Sequence, residues 1–150
     1  MRYEVSEAIP EGAKAIREAV FVEEQGFHNE FDRTDDASLH IVAYDGDKPV
    51  GVCRIFPDRD KTWTLGRLAV LKPYRGQHLG ANLVAKAEET ARNHGADRLT
   101  LHAQERVAGF YKSLGYRDMD IHDQDEGCPH MWMDKHLTVG VGNESEDQAR

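Results

Sequence analysis

Thr62-Trp63-Thr64-Leu65-Gly66-Arg67-Leu68-Ala69-Val70, followed by Leu71-Lys72-Pro73-Tyr74-Arg75-Gly76-Gln77-His78-Leu79-Gly80-Ala81, is the stretch on which the reading of this 150-residue chain turns. The first part is aliphatic, aromatic and β-branched, as a largely buried strand is. The second is a basic turn with two glycines. A long helix is predicted after it, reaching His94, with Leu83, Val84, Ala87 and Ala91 on one stripe and Gly95 placed for its C-terminal cap. A strand, a glycine turn and a helix start make a site for an anion. The first helical N–H groups have no partner within the helix, and the peptide dipoles present their positive end there. Gly76 and Gly80 let the backbone approach a pyrophosphate closely, and Arg75 with Lys72 adds positive charge. The Gly-Lys-Ser/Thr of a P-loop and the Gly-x-Gly-x-x-Gly of dinucleotide folds are both missing. On glycines alone, the turn is explained equally well by strand-to-helix geometry.

Working outward, residues 2–7 fit a short strand and 13–24 a helix that shares Ala15, Ile16, Ala19 and Val20 on one face and stops at Gly26. Residues 25–38 read as a polar, acidic loop anchored by Phe27 and Phe31. Residues 39–44 and 50–56 are strand-like and joined by Asp45-Gly46-Asp47-Lys48-Pro49, a hairpin signal. Downstream, Leu99, Leu101 and Ala103 alternate with Thr100 and His102, as a strand requires. Val107, Phe110, Tyr111 and Leu114 then mark a short helix ended by Gly115, and strands follow near 116–122 and 130–135. The pattern predicts an α/β (α+β) fold with a mixed central sheet covered by helices, in a single domain over 1–138. The small, polar, acidic tail 139–150 is expected to be disordered.

A net charge of −8 argues against nucleic-acid binding, which needs a basic face, and leaves room for an amine or cationic partner. No run is apolar and long enough for a signal peptide or a membrane span, so the chain is expected in the cytoplasm and off the membrane. Two distant cysteines, Cys53 and Cys128, indicate neither a disulfide framework nor a zinc ribbon.

Leu68-Ala69-Val70, the Arg75 to Gly80 turn, the helix behind it and Phe110-Tyr111-Lys112-Ser113-Leu114-Gly115-Tyr116 together resemble the GNAT superfamily of N-acetyltransferases. The order of elements over 2–137 agrees with that fold. The family turn is written Arg/Gln-x-x-Gly-x-Gly/Ala, and this chain departs from it with His78 where the first glycine is expected. Arg17-Glu18-Ala19-Val20-Phe21-Val22-Glu23-Glu24-Gln25, then Ala103-Gln104, then Glu126-Gly127-Cys128-Pro129-His130-Met131 are similar to the ElaA-like/YjcF-like branch, a more specific match. That branch brings no acceptor with it.

The resemblance implies that the strand ending at Val70 and the strand 98–103 splay apart to take the pantetheine arm of acetyl-CoA, the acyl donor. Leu68, Ala69 and Val70 would lie along that arm, and Arg75, Gly76, Gln77, His78, Leu79, Gly80 and Ala81 would hold the pyrophosphate. Gln104, where many relatives have Asn, and Phe110 would face the donor as well. Tyr111 would give a proton to the leaving thiolate, although as a bare residue it reads as a core aromatic beside Phe110 and Leu114. Glu24, His102, Glu126 and His130 are the candidates for the base, with Glu126 and His130 favoured at the acceptor pocket. Glu24, Arg54, Arg67 and His102 would face the acceptor; alternatively the arginines pair with Glu24 or Asp36, and His102 is a surface residue.

The implied activity is N-acetylation of a small-molecule or protein amine, with a homodimer left open. Two rivals stand beside it. One is a non-catalytic acyl-CoA-binding regulatory module of the same fold. The other is a metal-binding protein built on His122, Asp123, Cys128 and His130, whose spacing matches no standard zinc pattern, so no metal is expected.

Overall fold

Seven strands form one sheet in the order β1-β2-β3-β4-β5-β7-β6 in the computed structural model, which describes residues 1–26 and 33–137. They are β1 (Arg2–Ser6), β2 (Leu39–Asp45), β3 (Lys48–Pro57), β4 (Thr62–Val70), β5 (Arg98–Gln104), β6 (Arg117–Asp125) and β7 (Cys128–His136). The helices are α1 (Glu11–Arg17), α2 (Leu79–Asn93) and α3 (Ala108–Ser113). Strand alternation divides the core between the two faces. Ile41 of β2 packs with Leu83, Val84, Ala87 and Ala91 of α2, while its neighbour Val42 packs with Ala13 and Ile16 of α1. Burying each such Leu or Val side chain stabilises the fold by roughly 1.5–3 kcal/mol relative to exposure.

Neighbouring strands are antiparallel except β4 and β5, which run parallel. That parallel pair is short. It extends from Thr62↔Arg98 to Leu65↔Leu101, and beyond this β4 continues only with β3 and β5 only with β7. A buried hydrogen bond of 2.9 Å between the hydroxyls of Thr64 and Thr100 ties the strands just before they part. A bulge explains the departure. Between Arg54↔Gly66 and Val52↔Ala69, β4 has one residue more than β3, and Arg67 takes a φ of 53°. Gly66 lies beside the bulge, and the left-handed backbone is at Arg67. The expected mixed sheet with a splayed strand pair is therefore present.

The first helix differs from its periodicity. After Arg17 it widens into a π-helical turn over Glu18–Glu24, closed by Gln25 N–H on the Val20 carbonyl at 3.1 Å. Ala13, Ile16, Arg17 and Val20 are buried, while Ala15, expected on the apolar face, is exposed. Residues spaced three to four apart still define the face. The expected stripe was shifted because Arg17, a charged residue, occupies part of the buried side. Expectations for Phe27, Phe31 and the tail 139–150 lie outside the described residues. Among the described residues, no helix is long and apolar enough to cross a membrane.

Candidate active site

Where β4 and β5 separate, a cavity of about 550 Å³ opens. Gly66, Arg67 and Leu68 of β4 form one wall, and Leu101 to Gln104 of β5 form the other. Phe110 and Tyr111 enter from α3, and Arg54, Glu126 and His130 reach the same space. Nine of the nineteen expected site residues thus converge on one cavity from five different segments, whereas Glu24, Ala69, Val70 and the turn from Arg75 to Ala81 lie outside its lining.

Tyr111 is 9% exposed, and its ring meets Phe110 and Tyr116 edge-on at 5.0 and 6.0 Å. Its hydroxyl makes no hydrogen bond among the described residues. Burial, with the Cys53 thiol adding to it, pushes the phenol well above its ordinary range, so it stays protonated. The residue is both a core aromatic and a cavity-lining phenol that keeps its proton.

The glycine turn stands beside the cavity. Gly76 has a φ of 80° with open space where a side chain would project, so a backbone approach there is unobstructed. His78 adopts φ 65°, ψ 12° immediately before α2, the left-handed conformation that the family's glycine would take easily. No side chain caps α2, and its first turn holds no acidic residue. The helix start is therefore suited to an anion. Gly80 has a further reason to be small: a Phe110 ring carbon lies 3.4 Å from where its Cβ would stand. Gln77 donates to the Pro73 carbonyl at 3.3 Å.

Leu68 lines the cavity, whereas Ala69 is buried in the α1-side core and Val70 packs toward α2. The Val70 carbonyl accepts a 2.9 Å hydrogen bond from Arg75 Nε. The other two nitrogens of Arg75 donate to both Glu24 oxygens, at 2.8 and 2.9 Å. Two residues expected on opposite substrates are joined in one bidentate pair. The Arg75 hydrogen bond holds the Glu24 carboxyl below the usual carboxylate range.

The opposite end is built from side chains. Gln104 donates to Gln25 Oε1 and accepts from Arg106 Nε, both at 2.9 Å. These three residues, with Glu24, Glu126 and Cys128, also line a smaller cavity of about 330 Å³. Glu126 and Gly127 form the turn between β6 and β7, with φ of 51° and 78°, the paired left-handed residues of a tight hairpin. His102 stacks on Trp132 with ring centres 4.7 Å apart, and its ring centre is also 4.7 Å from that of His130. His102 Nε2 lies 2.6 Å from Asp123 Oδ1, and His130 Nδ1 lies 2.8 Å from the Cys128 carbonyl.

Arg54 is buried at the cavity wall and pairs with Asp35, at 2.9 Å, rather than with Glu24 or Asp36. Arg17, fully buried, meets the same carboxylate at 2.8 and 3.2 Å. Burial alone would raise the pKa of Asp35, but hydrogen bonds from Arg17 and Arg54 outweigh it and bring the group down to about 2. The four residues considered as metal ligands do not gather as one set. His122 instead contacts Glu105 and Asp118, at 3.1 and 3.2 Å, and these carboxylates raise its pKa.

Asp125, Trp132, Gln25 and Arg106 were not foreseen as site residues, and Asp123 was considered only as a metal ligand. Trp132 could have been found from its two-residue spacing to His130 along a strand. Asp125 requires the hairpin register, in which it faces Cys128.

The Acetyltransferase (GNAT) domain family matches this chain over residues 5–137. YjcF of Bacillus subtilis (strain 168), an uncharacterised N-acetyltransferase, is 39% identical over 80% of this chain and 87% of its own length. ElaA of Escherichia coli (strain K12) is 32% identical over 79% of this chain and 81% of its own. The crystal structure of Escherichia coli ElaA superposes with a TM-score of 0.79, covering 90% of this chain and 99% of that one. An aminoglycoside 6'-N-acetyltransferase complexed with coenzyme A shares the fold at a TM-score of 0.73 and 16% identity, covering 92% of this chain and 98% of that one.

Proposed function

The chain belongs to the GNAT acetyltransferase family, and from that premise we propose that it moves an acetyl group from acetyl-CoA to a primary amine by direct attack in a ternary complex. The observation that carries this reading is the parting of β4 and β5 beyond Leu65 and Leu101, with Tyr111 on the wall of the resulting cavity.

Acetyl-CoA supplies the acyl group as a reactive thioester. The uncapped start of α2, with Gly76 and His78 ahead of it, binds the pyrophosphate, and Arg75 contributes charge there. Leu68, Gln104 and Phe110 line the path of the arm. The amine nitrogen forms a bond to the thioester carbon while the carbon–sulfur bond breaks. A backbone N–H near Val70 stabilises the developing charge on the carbonyl oxygen. His130 takes the proton from nitrogen, and Tyr111 gives one to the departing sulfur, so the exchange balances. Two details favour this division. A carbonyl can only accept, so the 2.8 Å contact with Cys128 keeps the proton of a neutral His130 on Nδ1 and its lone pair on Nε2. Tyr111 is kept protonated by burial. Glu126, at the hairpin turn, together with the acidic charge of the protein, draws the amine to the mouth as its cation, which gives one proton to solvent before the neutral nitrogen attacks. Arg54, Arg67, His102 and Glu24 shape the acceptor side.

The test is thiol release from acetyl-CoA in the presence of a panel of small-molecule and peptide amines. Amine-dependent thiol release with acetylated product is expected for at least one class. Tight acetyl-CoA binding without turnover on any amine would contradict the enzyme reading and favour a binding module.

A further inference from the structure

We propose that His102, Asp125 and His130 form a binding site for a divalent transition-metal ion of the Zn2+ type at the acceptor end of the cavity. One ligand atom from each residue lies within 4.8 Å of the others. The three come from β5, β6 and β7, and the sheet register brings them together: Gln104 faces His130, and Asp125 faces Cys128. Asp125 and His130 lie five residues apart on the two arms of one hairpin, and the β5–β7 register brings the distant His102 to them.

The hydrogen bonds around it are those a metal site needs. Asp123 accepts from His102 Nε2 at 2.6 Å, which places the lone pair of the neutral ring on Nδ1. The Cys128 carbonyl accepts from His130 Nδ1 at 2.8 Å, which places that lone pair on Nε2. Each imidazole is thus held in one tautomer by an outer carboxylate or carbonyl, the partners that orient metal-bound histidines and raise their basicity. Stacking on Trp132 fixes the His102 ring further. Two imidazoles and one carboxylate suit zinc and its neighbours, and three protein ligands leave a fourth position open. Ligand atoms in a tetrahedral zinc site are about 3.4 Å apart, given bonds of roughly 2.0–2.1 Å, so the set must draw together on binding. Asp125 is exposed and adjoins the Glu126-Gly127 turn, which allows that movement.

An ion held here occupies the His130 lone pair. It therefore inhibits acetyl transfer in competition with the amine; that consequence rests on the reading of the previous subsection, whereas metal binding itself does not.

The experiment is a Zn2+ titration of the full chain against a chromophoric chelator, with thermal melts of every variant recorded without metal. One Zn2+ per chain is expected. Asp123→Asn should weaken binding by about 10-fold, within the range for a supporting partner, and Asp125→Asn, at an exposed position compatible with folding, and His102→Gln, which change a ligand itself, should each weaken it more, by about 100-fold. His122→Gln should leave affinity unchanged. The proposal is overturned if the wild type shows no saturable binding, if Asp125→Asn and His102→Gln bind zinc as the wild type does, or if His122→Gln weakens it as much as they do.

Discussion

The two ends of the cavity are made of different materials. The donor end is backbone: a bulged strand, a glycine turn and the bare start of α2, in which side chains matter mostly by being small. The acceptor end is a mesh of side chains from β3, β5, the β6–β7 hairpin and the π-helical turn after α1. Under the proposed function, backbone geometry serves one constant donor, whereas side chains can be exchanged one at a time to fit another acceptor. The contrast predicts that damage at one end leaves the other nearly intact, except where the Glu24–Arg75 pair joins them.

The largest effect is expected at the buried ions behind the acceptor wall. Asp35→Asn deprives Arg17 and Arg54 of a shared carboxylate and should cost about 3 kcal/mol in chemical denaturation. Acetyl-CoA affinity of the folded variant should change less than about twofold, since the donor end shares none of these groups. A large loss of donor affinity would break the separation. The same group gives a pH signature. Its folded pKa, about 2, lies below the ordinary 3.8, so its stabilisation is complete above that ordinary value and fades as pH falls toward 2. Acid titration of stability should therefore be shallower in Asp35→Asn.

Gly76→Val comes next. It forces a β-branched side chain into φ 80° at the edge of the phosphate turn, and acetyl-CoA binding by calorimetry should weaken at least about 10-fold. Unchanged binding would remove the turn from the donor site. A smaller change is expected from Glu24→Gln. Loss of the bidentate pair frees Arg75, and donor affinity should shift a few-fold, less at high salt because both groups are partly exposed. The smallest effect sharpens the donor side: His78→Gly relieves a left-handed backbone and should raise stability by up to about 1 kcal/mol in denaturant unfolding.

The strand, glycine turn and helix start that the proposal gives to the donor were legible in the sequence because their signals are local. Glycines at a turn, a helical stripe and an aromatic pair at Phe110 and Tyr111 each announce themselves within a few residues. His78 shows the limit of such reading: the pattern flagged a departure, and the backbone kept the glycine-like conformation anyway. The acceptor end was only partly legible. Glu126 and His130 were singled out, but Asp123 and Asp125 join them through strand register that periodicity does not encode. Arg17 was missed for a related reason. Its burial draws on Asp35, eighteen residues away, a carboxylate that it shares with Arg54 of β3. Charged residues enter a core only when such partners meet them, and a local window shows the charge without the partner.

The proposed chemistry meets its most direct test at Tyr111. Tyr111→Phe should keep acetyl-CoA affinity by calorimetry within about twofold, since the ring still fills its place, and lower the turnover of amine acetylation by about 10²-fold through loss of the acid. Turnover equal to that of the wild type, at unchanged donor affinity, would contradict proton donation from this phenol to the leaving sulfur.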